Sequence, residues 1–224
     1  VVIVGDVGLN VQRAAFYREA RPVEPCITIA KQLHGKEMSY NNYLDADGAL
    51  ELVKEFTEPT VAIIKHTNPC GAASAPTLVE AYRRALETDP VSAFGGIVAM
   101  NRVLDAEAAK AIADLFVEAV IAPGFEPGAL DALKQKKNLR ILQIEGLAEW
   151  ALASNRIHHG LYTRKIVGGL LVQERDVIMI VPEDLKCVTR RVPTEAEMAA
   201  LMFAWKCAKH VKSNAIVFAR GTEL

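Results

Sequence analysis

Residues 61–71 read Val-Ala-Ile-Ile-Lys-His-Thr-Asn-Pro-Cys-Gly. Positions 61–64 are apolar without a break. A strand with one wet face alternates apolar and polar residues, because successive side chains point to opposite faces. An unbroken apolar run instead predicts a strand buried on both faces, in a sheet covered by helices on either side. The run ends in two adjacent ionisable residues, Lys65 and His66. On a continued pleat these two would face opposite ways. They can share one pocket only if the strand ends there, and Asn68-Pro69 with Gly71 predicts a turn that would end it.

Outward from this stretch the pattern alternates. Candidate strands are residues 1–4, 26–30, 60–64, 96–100, 119–122, 139–144, 169–172 and 215–219. Helical periodicity fills many of the gaps. Residues 46–56 place Ala49, Leu52, Val53 and Phe56 on one face. Residues 77–88 repeat Leu78, Ala81, Tyr82, Ala85 and Leu86, and residues 105–117 repeat Ala108, Ala111, Ile112, Leu115 and Phe116. Thr194-Glu-Ala-Glu197 is a capping box that opens a helix running to about His210. Strands that alternate with helices predict an α/β fold, a three-layer α/β/α sandwich around a mostly parallel sheet. Ligands of such sheets gather at the carboxyl ends of the strands. Residues 146–165 have weak periodicity and read as a loop or irregular helix, with an exposed His158-His159 pair.

Bulk properties exclude several classes. The 224 residues are 51% hydrophobic and 24% charged, the balance of an ordinary globular chain. The formal net charge is −1, so no global field attracts nucleic acid or an anionic membrane. Four dispersed cysteines with no C-x-x-C imply a reducing compartment rather than a disulfide framework. Cys207 and His210 form a C-x-x-H pair, but no second pair has zinc spacing. No apolar run reaches the roughly 18 residues of a membrane span, and the start does not read as a signal peptide. The chain lacks an initiator Met and stops just after an apolar run, so it is expected to be a piece of something longer.

The chemistry of the candidate residues is specific in kind. Neutral imidazole, with an ordinary pKa of about 6.5, is the natural general base near neutral pH. Lysine is normally a cation that can stabilise developing negative charge. Together, His66 and Lys65 suit attack by a weak amine or hydroxyl on a carbonyl, an acyl-type transfer. A Lys-His pair at a strand end is also an ordinary surface feature. Asn41 and Asn42 precede a helix and serve either its initiation or a ligand. Phe94-Gly95-Gly96 offers a flat apolar face and open backbone for a planar ring, or simply a turn. Gly5 and Gly8 echo a phosphate loop, but the G-x-G-x-x-G fingerprint is absent. A zinc deaminase is a competing reading, prompted by His66 near Pro69-Cys70. That chemistry wants H-x-E and P-C-x-x-C, whereas position 68 is Asn and position 73 is Ala.

Six segments taken in order are more informative than any one of them. "SYNNYLDADGAL", "VAIIKHTNPCGAA", "TDPVSAFGGIVAMNR", "FVEAVIAPGF", "GGLLVQERD" and "AWKCAKHVKSNAIVFA" resemble the formyltransferase domain of the AICAR transformylase/IMP cyclohydrolase family, from about Gln12 to Arg220. The resemblance implies formyl transfer from the cosubstrate 10-formyltetrahydrofolate to the 5-amino group of AICAR, giving FAICAR in purine biosynthesis. It also implies a cytidine-deaminase-like α/β/α fold, incomplete at both ends here. Residues 12–145 would form a first subdomain, 146–166 a linker and 167–224 the start of a second. A cytoplasmic homodimer with shared active sites is implied, with no metal. By motif, His66 is the general base, Lys65 stabilises the transition state, and Asn214 of "KSNA" is the catalytic-site Asn. Asn42, Gly95 and Glu118 match substrate-contacting positions, with Phe94 beside Gly95.

The departures are also expectations. The family's phosphate-holding Arg falls at Gly5, so phosphate binding would need Arg13 or another cation. "WALASNRIHHGLYTRK" is unlike the family. The chain stops before a Gly-rich folate-side motif and lacks the cyclohydrolase domain, so by itself it is expected to be inactive. A non-catalytic scaffold that only dimerises is the alternative.

Overall fold

The structure is a computed structural model that describes residues 16–153, 160–178 and 180–224. The expected strand at 1–4, Gly5, Gly8, Arg13 and the His158-His159 pair lie outside the described residues.

Six strands form the main sheet: β1 (Lys31–His34), β2 (Thr60–Lys65), β3 (Asn68–Ser74), β4 (Ile97–Met100), β5 (Ala119–Ala122) and β6 (Arg140–Gln143). Their order is β1-β6-β5-β4-β2-β3. β4, β5 and β6 are parallel neighbours. β2 runs antiparallel to β4, β3 runs antiparallel to β2, and β1 runs antiparallel to β6. Thus β3, β4, β5 and β6, four of the six strands, point one way.

The unbroken apolar run does what its pattern demands. Residues 60–64 are all buried. Val61 and Ile63 enter one core, and Ala62 and Ile64 enter the other. The first core is covered by α2 (Leu78–Thr88), α4 (Ala106–Ala113) and α5 (Pro127–Lys134). α1 (Tyr40–Lys54), α6 (Leu147–Leu152) and Phe203 and Cys207 of α7 (Glu195–Ala208) cover the second. The three-layer α/β/α arrangement follows, with helices on both faces. α3 (Pro90–Ala93) is a single turn before β4.

The helix starts are set by their caps. Ser39 accepts from the Asn42 amide at 3.1 Å while the Asn42 side chain accepts from the Ser39 amide at 3.0 Å. Asp105 caps α4 at 2.8 Å through the Ala108 amide. The expected capping box of α7 is present: Thr194 accepts from the Glu197 amide at 3.2 Å, and Glu197 accepts from the Thr194 amide at 2.8 Å.

Several expectations are corrected. Residues 27–29 form a 3-10 turn, and the strand follows it at Lys31–His34. Residues 215–219 form no strand, since no neighbouring strand pairs with them among the described residues; Ile216 and Phe218 are exposed. Residues 68–74, whose Pro69 and Gly71 signalled a turn, are strand β3. Proline is tolerated there because β3 lies at the sheet edge and its register with β2 shifts opposite Ile63 and Ile64. Gly71 is needed for close packing: a Cβ there would sit 1.8 Å from the Ala85 carbonyl oxygen of α2. The outer edge of β3 is itself paired. The Ser74 amide donates to the Thr222 carbonyl at 2.8 Å and the Leu224 amide to the Ala72 carbonyl at 3.1 Å.

Residues 161–166, read as part of a loop, are β7 (Leu161–Ile166), paired antiparallel with β8 (Gly169–Glu174) in a separate two-stranded ribbon. Charges tie the ribbon to α1. Arg175, just past β8, pairs with Glu51 at 2.6 Å and with Glu24. Lys54 pairs with the same two carboxylates, at 2.8 Å and 2.7 Å. Further along, Glu55 at the end of α1 receives Lys209 at 2.8 Å and His210 at 3.1 Å.

Candidate active site

β2 stops at Lys65, and the next two residues make the whole connection to β3. His66 has φ 54° and Thr67 has φ 59°. Left-handed geometry at both central residues is that of the type I′ hairpin turn, which normally selects Asn-Gly or Gly-Gly. A residue with a Cβ is disfavoured there by roughly 1–2 kcal/mol. The chain leaves its extended path at His66, so Lys65 and His66 do not sit on one continuous pleat.

The corner is held from two sides. Asp45 of α1 accepts from the His66 amide at 3.2 Å and from the Thr67 amide at 2.7 Å. The His66 carbonyl oxygen accepts from the Thr67 hydroxyl at 2.7 Å, the Asn68 side-chain amide at 3.2 Å and the Lys212 ammonium at 3.2 Å. The Lys212 backbone amide also donates to the Asn68 side chain at 3.2 Å. These contacts bring the segment after α7, which carries Asn214 two residues further on, to the hairpin corner. Its approach is fixed upstream by the Glu55 cluster. There burial raises the Glu55 carboxyl, but the His210 and Lys209 partners outweigh it and hold it down to about 2.

The Lys65 ammonium donates to the Phe94 carbonyl oxygen at 2.8 Å, so it leans toward the Phe94-Gly95-Gly96 loop. Gly95 has φ 76°, and its amide donates to the Phe116 carbonyl oxygen at 2.8 Å. The Phe94 and Phe116 rings lie 5.2 Å apart, and Phe94 remains exposed. The Glu118 amide donates to the Gly96 carbonyl oxygen at 2.9 Å, which sets Glu118 beside that loop. Its Oε2 pairs with Arg140 at 2.6 Å. Arg140 is buried and also donates to the Glu37 carbonyl oxygen at 2.9 Å. Asn42 is buried in the first turn of α1, one helical turn before Asp45. Its side-chain oxygen serves the capping box, which leaves its amide nitrogen for other partners.

All these residues share one end of the sheet. Ile64 pairs with Ile97, so the carboxyl end of antiparallel β2 meets the amino end of β4. Gly96, Glu118 and Arg140 stand at the amino ends of β4, β5 and β6. The candidate residues therefore gather at the amino ends of the parallel strands, not their carboxyl ends, because β2 runs against them.

Other features lie apart from this corner. Clefts of about 330 Å³ beside α7 and about 620 Å³ beside α2 contain neither Lys65 nor His66 among their lining residues. Burial pushes the Cys70 thiol above its ordinary value, which disfavours the thiolate a metal would need. Among the described residues no group of three or more His, Cys, Asp or Glu could hold a metal ion. No described helix is long and apolar enough to cross a membrane.

Sequence reasoning missed Asp45, and it gave Asn68 only a turn role and Lys212 no role beyond opening "KSNA". The available signal was His-Thr where a two-residue hairpin wants glycine, since such a turn needs acceptors for its amides from elsewhere.

A family model described as AICARFT/IMPCHase bienzyme matches residues 8–224. The chain is 52% identical over 213 residues to a protein of Acetivibrio thermocellus named bifunctional purine biosynthesis protein PurH. That match covers 95% of this chain and 40% of the relative. Proteins of the same name from Magnetococcus marinus and an Anaeromyxobacter species are 51% and 54% identical. Each match covers 93% of this chain, and 39% and 40% of the relatives. The chain thus spans about 40% of the length of the curated relatives it matches.

Proposed function

The chain belongs to the AICARFT/IMPCHase bienzyme family, and on that premise we propose that the hairpin corner is part of a formyltransferase site. The substrates are AICAR and 10-formyltetrahydrofolate, and the product is FAICAR. The activity belongs to the full-length protein, whose other function by family is IMP cyclohydrolase.

The observation that carries this reading is the corner itself. It turns His66 out of the pleat at the end of the sheet where Lys65, Gly95, Glu118 and the segment bearing Asn214 converge. His66 takes a proton from the AICAR amine as its nitrogen bonds to the formyl carbon. Electrons move onto the formyl oxygen, and the tetrahedral intermediate then expels the folate nitrogen, which takes up a proton. Lys65 uses one of its three N–H groups on the Phe94 carbonyl oxygen, which leaves two for that oxyanion. Asn214 contributes an amide to the same centre. Glu118 keeps Oε1 for the substrate while Arg140 holds Oε2. Asn42 and Gly95 contact AICAR, and Phe94 supplies a flat face for its ring.

The same proposal includes a cytoplasmic homodimer with shared active sites. Exposed Leu161, Leu170 and Leu171 on the ribbon support further burial against a partner. Because β7 pairs with β8, we draw the second subdomain from Leu161, after a first subdomain over 12–145.

The test is His66→Ala in the full-length protein. General-base help is typically worth about 10²–10⁴-fold, so formyl transfer should fall by that factor while cyclisation is unchanged. An unchanged transfer rate removes the base assignment.

A further inference from the structure

We propose that Asp45 is a positioning residue whose carboxylate holds the His66 and Thr67 corner in its left-handed shape and so fixes where the His66 imidazole stands. This rests on the formyl-transfer reading for its catalytic consequence, but not for its structural one.

Three observations lead to it. Two consecutive residues with φ 54° and 59° are both non-glycine, and Thr67 is β-branched, the kind of residue least at ease there. Both of their amides point at one carboxylate, Oδ2 taking His66 and Oδ1 taking Thr67. The carboxylate comes from α1, whose next residues, Ala46, Ala49 and Leu50, are buried in the second core. A rigid helix thus presents a fixed double acceptor to a strained turn, as precise sites require. The remaining contacts hold the other side of the same peptide, through the His66 carbonyl oxygen. Without Asp45 the amide side is free, and Thr67 can relax toward φ below zero. That rotation would swing His66 relative to Lys65, which is anchored separately on Phe94.

The experiment uses Asp45→Ala and Asp45→Asn in the full-length protein, so that a folding failure of one leaves the other. Displacement of a catalytic group by about 1 Å can cost about 10²-fold. Asp45→Ala should lower kcat for formyl transfer by about that factor, with KM for AICAR changed less than about threefold. Asp45→Asn should fall between the two. In the His66→Ala background, Asp45→Ala should cost little more, because nothing remains to position. Adding Thr67→Gly to Asp45→Ala should recover kcat about tenfold or more, since glycine adopts the left-handed turn without help. A kcat within threefold of wild type in Asp45→Ala, or no recovery with Thr67→Gly, overturns the proposal.

A second readout separates this idea from the reading it rests on. In protein labelled with ¹⁵N-histidine and ¹⁵N-threonine, the His66 and Thr67 amide signals should move upfield in Asp45→Asn. If they move but His66→Ala transfers formyl normally, the base assignment of His66 falls and the structural role of Asp45 stands. If they stay in place, the positioning claim falls whatever the kinetics show.

Discussion

Two short aliphatic runs, residues 61–64 in β2 and residues 170–172 in β8, have similar composition and opposite surroundings. β2 lies between β3 and β4 with helices on both faces, and Ala62 and Ile63 are wholly buried. Among the described residues β8 has β7 as its one strand neighbour, and Leu170, Leu171 and Val172 are each more than half exposed. The same contrast extends outward. The main sheet buries two continuous cores, whereas Phe203 and Cys207 are the buried hydrophobics that the described residues of 160–224 contribute to either core. An apolar run therefore states a need for cover, and only the neighbours decide whether this chain supplies it.

The largest test of that contrast is a matched pair of truncations. Ile63→Ala should cost about 2–5 kcal/mol in urea unfolding, the usual range for emptying a packed core site. Leu171→Ala should stay within about 0.5 kcal/mol where the ribbon is bare, as for an exposed site, and should cost more in the proposed homodimer. An equal cost at both would mean that the ribbon is covered in solution.

The next effect probes the joint between the two regions. Glu55 is held to about 2, against an ordinary 4.5, by His210 and Lys209 acting against the rise from burial. A lowered folded pKa stabilises above the unfolded value, and the benefit is lost as pH falls from about 4.5 toward about 2. Glu55→Gln should therefore cost about 3 kcal/mol at pH 7 and much less near pH 2–3. A cost that does not change with pH would show that packing, not charge, fastens α7 to α1.

The smallest effect has the opposite sign. Burial, reinforced by Glu51, pushes the Asp47 carboxyl up from 3.8 to about 6. A raised folded pKa gives stability that is present below about 3.8 and lost as pH rises through about 6. At pH 7.5 the ionised Asp47 is a burden, so Asp47→Asn should stabilise by about 1–2 kcal/mol there and by nothing near pH 3.5. Loss of stability at pH 7.5 would mean that Arg175 uses Asp47 as a partner in docking the ribbon.

Much of the main sheet was legible because its strands are short, apolar throughout and separated by periodic helices. β2, β4 and β5 fall within a residue or so of their expected bounds, and the Thr194 cap opens its helix as read. β3 was hidden by Pro69 and Gly71, because edge position and contact with α2 decide that they fit a strand. β7 was hidden by Thr163, Arg164 and Lys165, which carry no burial signal when both ribbon faces are wet. Helices α5 and α6 are too short for periodicity to announce them. At the hairpin corner, the adjacency of Lys65 and His66 was legible and its geometry was not. The turn, at His66 and Thr67, lies two residues before the Asn68-Pro69 pair that signalled it, and its amides are met by an aspartate 21 and 22 positions upstream.

The strand formed around Pro69 leaves one further consequence. A sheet border with unsatisfied amides and carbonyls can template another chain, the first step toward fibrils. Along β3 that invitation is withdrawn, since residues 222–224 already occupy the border at Ala72 and Ser74. At the far border, charged Lys31 on β1 discourages the same encounter. Colloidal trouble in this molecule would accordingly begin at the bare aliphatic ribbon, not at the sheet that carries the candidate site.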